Sequence, residues 1–405
     1  MRRLKLACYT TNITMAVVGN LPPVLFLTFR DLYDISYSLL GLLVLINFVT
    51  QLTVDLILSF FSHKFNIPLT VKLTPAIGMV GLLFYAATPL LFAGNEYVGL
   101  VLGTVIFSAA CGLAEVLISP VIAALPAKDP DREMSKLHSI YAWGVVFVII
   151  FSTLFLQFTG KPYWPILTII LAVIPLISTL LFAGSKIPAM DTPAHTGDVL
   201  SYFKNPGLWL CVGAIFLGGA SECTMAQWSS GYLEQAVGLP KVWGDIFGVA
   251  MFGMMLGLGR SMYAKIGKNL GRVLFFSAIG ATVCYLVAAL SPLPIFGLVA
   301  CGLTGLCTAM MWPGSLVVAE QRFPTGGVFI FAIMAAGGDL GASVGPQLIG
   351  IITDAALTNP AALSLANTLS LSPEQLGMKT GMLIGALFPL IAIFLFARIR
   401  KNRQE

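Results

Sequence analysis

Four acidic residues, Asp55, Glu115, Glu222 and Asp339, lie well inside long apolar stretches of the chain. An ionisable group at mid-membrane costs at least a few kcal/mol, so it persists where it has work to do. A carboxyl there can take up and release a proton, or hold sodium if nearby carbonyls and hydroxyls add oxygens. Three of the acids continue polar columns at helical spacing: Asn47, Gln51 and Asp55; Ser108, Gly112, Glu115 and Ser119; Asp339, Ser343 and Gln347. No Lys or Arg falls at comparable depth by position, the nearest being Arg260. Glu115 and Glu222 are therefore the leading cation-coupling carboxyls, with Asp55 and Asp339 supporting coupling or gating. The same deficit of buried positive charge argues for a neutral or cationic solute over an anionic one.

Around these acids stand residues that join a flat apolar face to a hydrogen-bonding group: Tyr141, Trp143, Gln227, Trp228 and Trp312. With Asn20, Asn47 and Gln51 they form the candidate solute contacts, since a small-molecule site pairs an apolar lining with a few placed polar groups. The competing reading is structural, because intramembrane amides bridge helices and aromatic residues anchor them at the interface. His63, Lys64 and Arg260 lie toward the ends of spans and are candidate gate residues; His138 could relay protons or cap a helix. Gly218-Gly219, Gly337-Gly338 and Gly345-Pro346 put possible bends beside the acids.

Enzymatic chemistry has little support. No phosphate-binding G-x-x-x-x-G-K-[ST] loop is present, Gly267-Lys268 being followed by Asn269, and no Ser/His/Asp, Cys/His or HExxH set can be assembled from three His. The seven Cys sit in apolar runs without a CxxC pair, as small buried residues and not as disulfides or metal ligands. No cofactor is expected beyond a proton or sodium as coupling ion.

The elements that position these groups follow from composition. Of 405 residues, 57% are hydrophobic and 10% charged, with a mean hydropathy of +0.90, which excludes an ordinary soluble domain. The net charge of +5 is spread over short loops, so nucleic acid is not an expected partner; the lipid bilayer is. A hydrocarbon core about 30 Å thick needs roughly 20 helical residues. On that ruler twelve spans are expected, at about 4–29, 37–61, 70–92, 98–125, 137–159, 164–184, 207–235, 243–263, 273–291, 295–320, 327–355 and 379–398. The first should remain as a span, since it lacks a small-residue cleavage site.

With the N-terminus inside, every Lys and Arg except Arg30, Lys161, Lys241 and Lys379 falls on the cytoplasmic side, which places both termini in the cytoplasm of a cell (inner) membrane protein. The polar stretch 185–206 separates an N-terminal six-helix bundle, 1–184, from a C-terminal one, 207–405. Gly112, Pro120 and Gly144 recur as Gly305, Pro313 and Gly337 at one offset of 193 residues, in keeping with two repeated halves. Spans 3, 6, 9 and 12 have no charge in their cores and read as lipid-facing.

Count, halves and linker resemble the major facilitator superfamily over residues 4–398. Narrower stretches are similar to bacterial transporters related to fucose permease: CGLAEVLISPVIAALP, MSKLHSIYAWG, GGASECTMAQWSSGYLE, MMWPGSL and AAGGDLGASVGPQLIGIITD. The resemblance implies an all-α fold whose spans 1, 4, 7 and 10 line a cavity, and proton-coupled sugar uptake with Glu115 matching a family glutamate. The chain departs from that pattern in span 1, which has Asn12 and Asn20 in place of an acid, and in the loop Phe61-Ser62-His63-Lys64-Phe65-Asn66.

The expected function is cation-coupled import of a small neutral solute, first of all a sugar, by a monomeric transporter with alternating access. Proton-coupled export of amphiphilic cations, and a non-transporting receptor or scaffold, are the alternatives.

Overall fold

The computed structural model describes residues 2–61, 64–126, 130–188, 203–266, 269–323 and 327–401, with no strand among them. Among these residues eleven helices are long and apolar enough to cross a membrane, and a shorter apolar helix, Trp143–Thr159, lies at the remaining expected span. Span 1 is Arg2–Tyr33, span 2 Tyr37–Phe61, span 3 Ile67–Leu91, span 4 Glu96–Ala123 and span 5 Pro130–Thr159. Span 6 comprises Trp164–Leu171 and Val173–Ala183. Span 7 is Pro206–Gln235, span 9 Leu270–Leu290 and span 11 Gly327–Thr358. In span 8 the π-helical turns Gly244–Ala250 precede Met251–Ile266. Span 10 is broken into Pro294–Thr308 and Met311–Arg322, and span 12 into Pro373–Gly385 and Leu387–Lys401. A further short helix, Pro360–Thr368, stands before span 12.

The chain divides into two compact units, Met1–Tyr33 with Ile46–Thr196 and Asp34–Leu45 with Gly197–Glu405. The expected 185–206 linker lies largely outside the described residues, and span 2 is shared between the units instead of belonging wholly to the first. Its start is held in the second unit by chemistry that helix ends require. The Asp354 carboxylate of span 11 accepts from the backbone N–H groups of Tyr37 (3.0 Å) and Ser38 (2.7 Å), two donors left without intrahelical partners at an N-terminus. Gln347 adds a bond from its amide to the Ser38 carbonyl at 3.2 Å, and Tyr37 packs beside Trp228.

In the first unit, spans 3 and 4 meet along glycines. A methyl group on Gly81 would stand 2.5 Å from the Phe107 amide nitrogen, and one on Gly103 2.9 Å from the Tyr85 side chain. Gly99 and Gly103 form a GxxxG pair, which removes side chains where two backbones approach. The crossing brings Tyr85 against Phe107, Phe29 and Trp164, and the Trp164 indole donates to the Tyr33 hydroxyl at 2.9 Å. Span 1 is tied to spans 5 and 6 by Asn12 donating to the Leu137 carbonyl and by the Thr11–Ser178 hydroxyl pair. Large apolar side chains are exposed along spans 3, 6, 9 and 12, among them Leu73, Val80, Ile169, Leu180, Phe276, Val283, Leu387 and Phe394. Such surfaces suit contact with lipid.

Candidate functional site

Two polar clusters form, one in each unit. In the first, the columns of spans 2 and 4 face each other. Asn47, Gln51 and Asp55 are all buried. The Ser108 hydroxyl of span 4 donates to the Asn47 amide oxygen at 2.5 Å. Two turns further along span 2, Asp55 lies over Gly112, where a Cβ would stand 3.2 Å from its Oδ1 and 3.1 Å from the Gln51 carbonyl oxygen. Glycine at this position lets the carboxyl approach the helix. Glu115 follows Gly112 by about one turn and is exposed, within electrostatic reach of Asp55. A buried acid and an accessible acid are thus neighbours.

The second cluster overturns the expectation that no basic residue reaches the embedded acids. Arg260 of span 8 donates through one terminal nitrogen to both carboxylate oxygens of Glu222 on span 7, at 3.2 and 3.3 Å. Its Nε donates to the Ala309 carbonyl at 3.2 Å. The sequence of span 10 accounts for that acceptor. In a continuous helix Ala309 would receive the N–H of the residue four places on, but that residue is Pro313, which has none. The helix breaks at this point, and Arg260 takes the freed carbonyl. Close packing of span 8 on span 10 at Gly259, which faces Ala309 and Leu306, sets the arginine beside the break. Arg260 is therefore a partner of a coupling candidate, a role its position near the end of span 8 does not suggest. The Cys223 thiol lies within electrostatic reach of Glu222, Asp339 and Arg260, so the three charged groups belong to one neighbourhood. Asp339 is buried, and Ser343 on its column bonds to its own helix at Leu340.

The candidate solute contacts separate into groups. Trp312 is half-buried in the broken turn of span 10, its ring lying over Gly219 and Gly338. Gln227 is buried on span 7. Trp228 is 1% exposed, and its indole is already bonded to the Pro346 carbonyl at 2.9 Å, so the structure gives it a packing role within the second unit. In the first unit the Tyr141 hydroxyl lies beside Gly19, Asn20 bonds to its own helix at Ala16, and Trp143 is 71% exposed. Of the gate residues, Lys64 is exposed with its ammonium 5.1 Å from the Phe61 ring, and His63 lies outside the described residues. The His138 side chain is outside them as well.

Sequence reading did not single out Asp245, a fully buried acid in the π-helical turn of span 8. It accepts from the Ser230 hydroxyl and pairs with Lys241 at 3.4 Å. A Lys and an Asp four residues apart at the start of the span are the signal that could have marked it. No group of three or more His, Cys, Asp or Glu able to hold a metal occurs among the described residues.

The chain is similar in fold to a nucleoside transporter, at 13% identity and a TM-score of 0.75 over 98% of this chain and 99% of the other. It is similar to the E. coli fucose:proton symporter at 16% identity and a TM-score of 0.63, covering 98% of each chain. A bacterial homologue of the human lysosomal transporter Spinster gives 15% identity and a TM-score of 0.71 over 98% and 96% of the two chains. A search of curated protein sequences gives no significant match. The family model described as Major Facilitator Superfamily matches residues 7–346, and with the helical architecture above this places the chain in the major facilitator superfamily of membrane transporters.

Proposed function

We propose that this transporter imports a small polar solute, a sugar in first place, together with a cation, a proton in first place. The observation that carries the reading is the meeting of Asp55 with Glu115 across Gly112, at the end of a column that includes Asn47, Gln51 and Ser108. Two carboxyls within electrostatic reach disfavour being charged together, so the pair is suited to carry one proton at a time. Glu115 is the exposed member of the pair, while Asp55 is buried on the same helical column as Asn47 and Gln51. The similarity to a fucose:proton symporter supports sugar as the first class to test. Arg260 supplies a positive charge beside an embedded acid, which removes the ground for disfavouring an anionic solute. The distribution of Lys and Arg supports both termini on the cytoplasmic side of the cell membrane, and nothing in the reading requires more than one copy of the chain.

The test uses purified protein in liposomes with a trapped pH-sensitive dye, challenged with hexoses, deoxyhexoses and lipophilic cations, with and without sodium. Sugar-evoked internal acidification that is lost in Asp55→Asn and Glu115→Gln is the expected result. Uptake driven by sodium with no acidification reassigns the ion. A response only to lipophilic cations selects the exporter reading, and binding without flux selects a receptor or scaffold.

A further inference from the structure

The Glu222–Arg260 pair has the geometry of an exchangeable contact. Well-made charge-assisted bonds between a guanidinium and a carboxylate run at about 2.7–2.9 Å and use two nitrogens in parallel. Here a single terminal nitrogen straddles both oxygens at 3.2 and 3.3 Å. The arginine side chain is 44% exposed while the glutamate is 15% exposed, so one side of the arginine is open. A charge set within a membrane span does not open onto lipid, which places water or a polar ligand on that side. The other side is fixed by the Ala309 carbonyl that Pro313 leaves without a partner. Arg260 is thus anchored at one edge and loosely engaged at the other. Trp312, one residue before Pro313, offers an aromatic ring in the same broken turn.

We propose that Arg260 is the recognition site for a carboxylate on the transported solute, that this carboxylate takes the place of Glu222, and that the solute is an acidic sugar of the hexuronate type. The inference rests on the proton-coupled sugar reading above and narrows its substrate class. Charge balance supplies the mechanism. With the solute absent, the Arg260 cation is neutralised by Glu222. When the solute carboxylate arrives, Glu222 must release the guanidinium, and it does so at no cost in net charge by accepting one proton from the water that reaches the site. The pair Arg260 and Glu222 and the trio Arg260, solute carboxylate and protonated Glu222 carry the same net charge. One proton enters with each carboxylate, and both leave together when Glu222 gives its proton to the opposite side and closes on Arg260 again. Among the described residues, the Cys223 thiol beside Glu222 on span 7 lies within electrostatic reach of the pair and of Asp339 on span 11, and span 10 meets Arg260 with the Ala309 carbonyl. On span 9, Tyr285 is bonded to the Ser221 carbonyl.

Binding of galacturonate and of galactose to the purified full chain is measured from pH 5 to 8, beside internal acidification of proteoliposomes. Galacturonate is expected to bind more tightly as pH falls and to acidify the lumen, with the Glu222 proton entering beside any carried by the Asp55–Glu115 pair. Arg260→Gln should weaken galacturonate about 30-fold, the worth of a lost hydrogen bond to a charged group, with partial recovery in Arg260→Lys. Glu222→Gln moves the opposite way: it frees the guanidinium permanently, so galacturonate should bind as tightly at pH 8 as at pH 5. Galactose-driven acidification with no response to galacturonate overturns this inference and leaves the proton-coupled sugar reading standing. Galacturonate binding that is lost in Arg260→Gln but moves no protons upholds the carboxylate site and overturns proton coupling. Binding unchanged in Arg260→Gln, or a pH dependence of binding as steep in Glu222→Gln as in the wild type, overturns the exchange.

Discussion

Replacing Gly81 by alanine tests how firmly spans 3 and 4 are held together. The new methyl would lie 2.5 Å from the Phe107 amide nitrogen, 2.7 Å from its Cβ and 2.8 Å from its Cα. Contact between such atoms begins near 3.5 Å, so the two backbones must separate by about 1 Å. A gap of that size forfeits roughly a quarter to a half of the dispersion energy of each facing atom pair, and Tyr85, wedged among Phe29, Phe107 and Trp164, loses its packing first. We expect a destabilisation of about 2–3 kcal/mol, in the range found for overpacked cores. Gly78, one turn earlier on the same helix, is the internal control, since its methyl would meet Thr14 and Ala110 at 3.4 and 3.5 Å, ordinary contact distances. The measurement is thermal unfolding in detergent, followed by tryptophan fluorescence, which Trp164 reports from within the cluster. Equal unfolding temperatures for the wild type and Gly81→Ala, or equal damage from Gly78→Ala, would refute the account.

Asp354→Ala removes both acceptors at the start of span 2 and should cost about 1–2 kcal/mol in unfolding free energy, while Asp354→Asn, which keeps one acceptor, should cost less than half as much. Trp228→Phe keeps the ring packed beside Tyr37 and loses only the bond to Pro346, for an expected loss of about 1 kcal/mol and no change in solute affinity; a large affinity loss would return Trp228 to the solute contacts. Gly257→Ala, with no atom within 4 Å of the added methyl, should leave stability within about 1 kcal/mol of the wild type in the same unfolding assay.

The spans were legible because a membrane helix must satisfy its own backbone and bury nothing polar toward lipid, so length and apolar content carry most of the signal. The polar columns of spans 2 and 4 were legible for the same reason: Asn47 and Asp55 recur at a helical repeat, and Ser108 and Gly112 answer them. The Glu222–Arg260 contact was not, since ranking residues by position along a span ignores that an arginine extends several ångströms along the helix axis. Pro313 held the missing clue, a carbonyl deprived of its donor that some other group had to supply. Asp354 was passed over as an acid at a span end, where charge is unremarked, although its partners are the backbone of a helix that lies far away in sequence. Trp228 shows the limit of residue type: its amphipathic ring fits a sugar and a packed helix crossing equally well, and only its bonded indole and its burial distinguish them.

The division of span 2 bears on how this chain can be cut and rejoined. A break in the polar stretch 185–206 severs a single connection, and the excised part 207–405 then lacks Tyr37–Leu45, which belongs to its own compact unit. Expressed alone, that fragment would leave Asp354 and Gln347 without the helix start they hold. Expressed beside 1–184, it recovers them by taking in trans the beginning of a helix synthesised on another ribosome. The two pieces are therefore expected to complement each other, with reassembly set by the first turns of span 2.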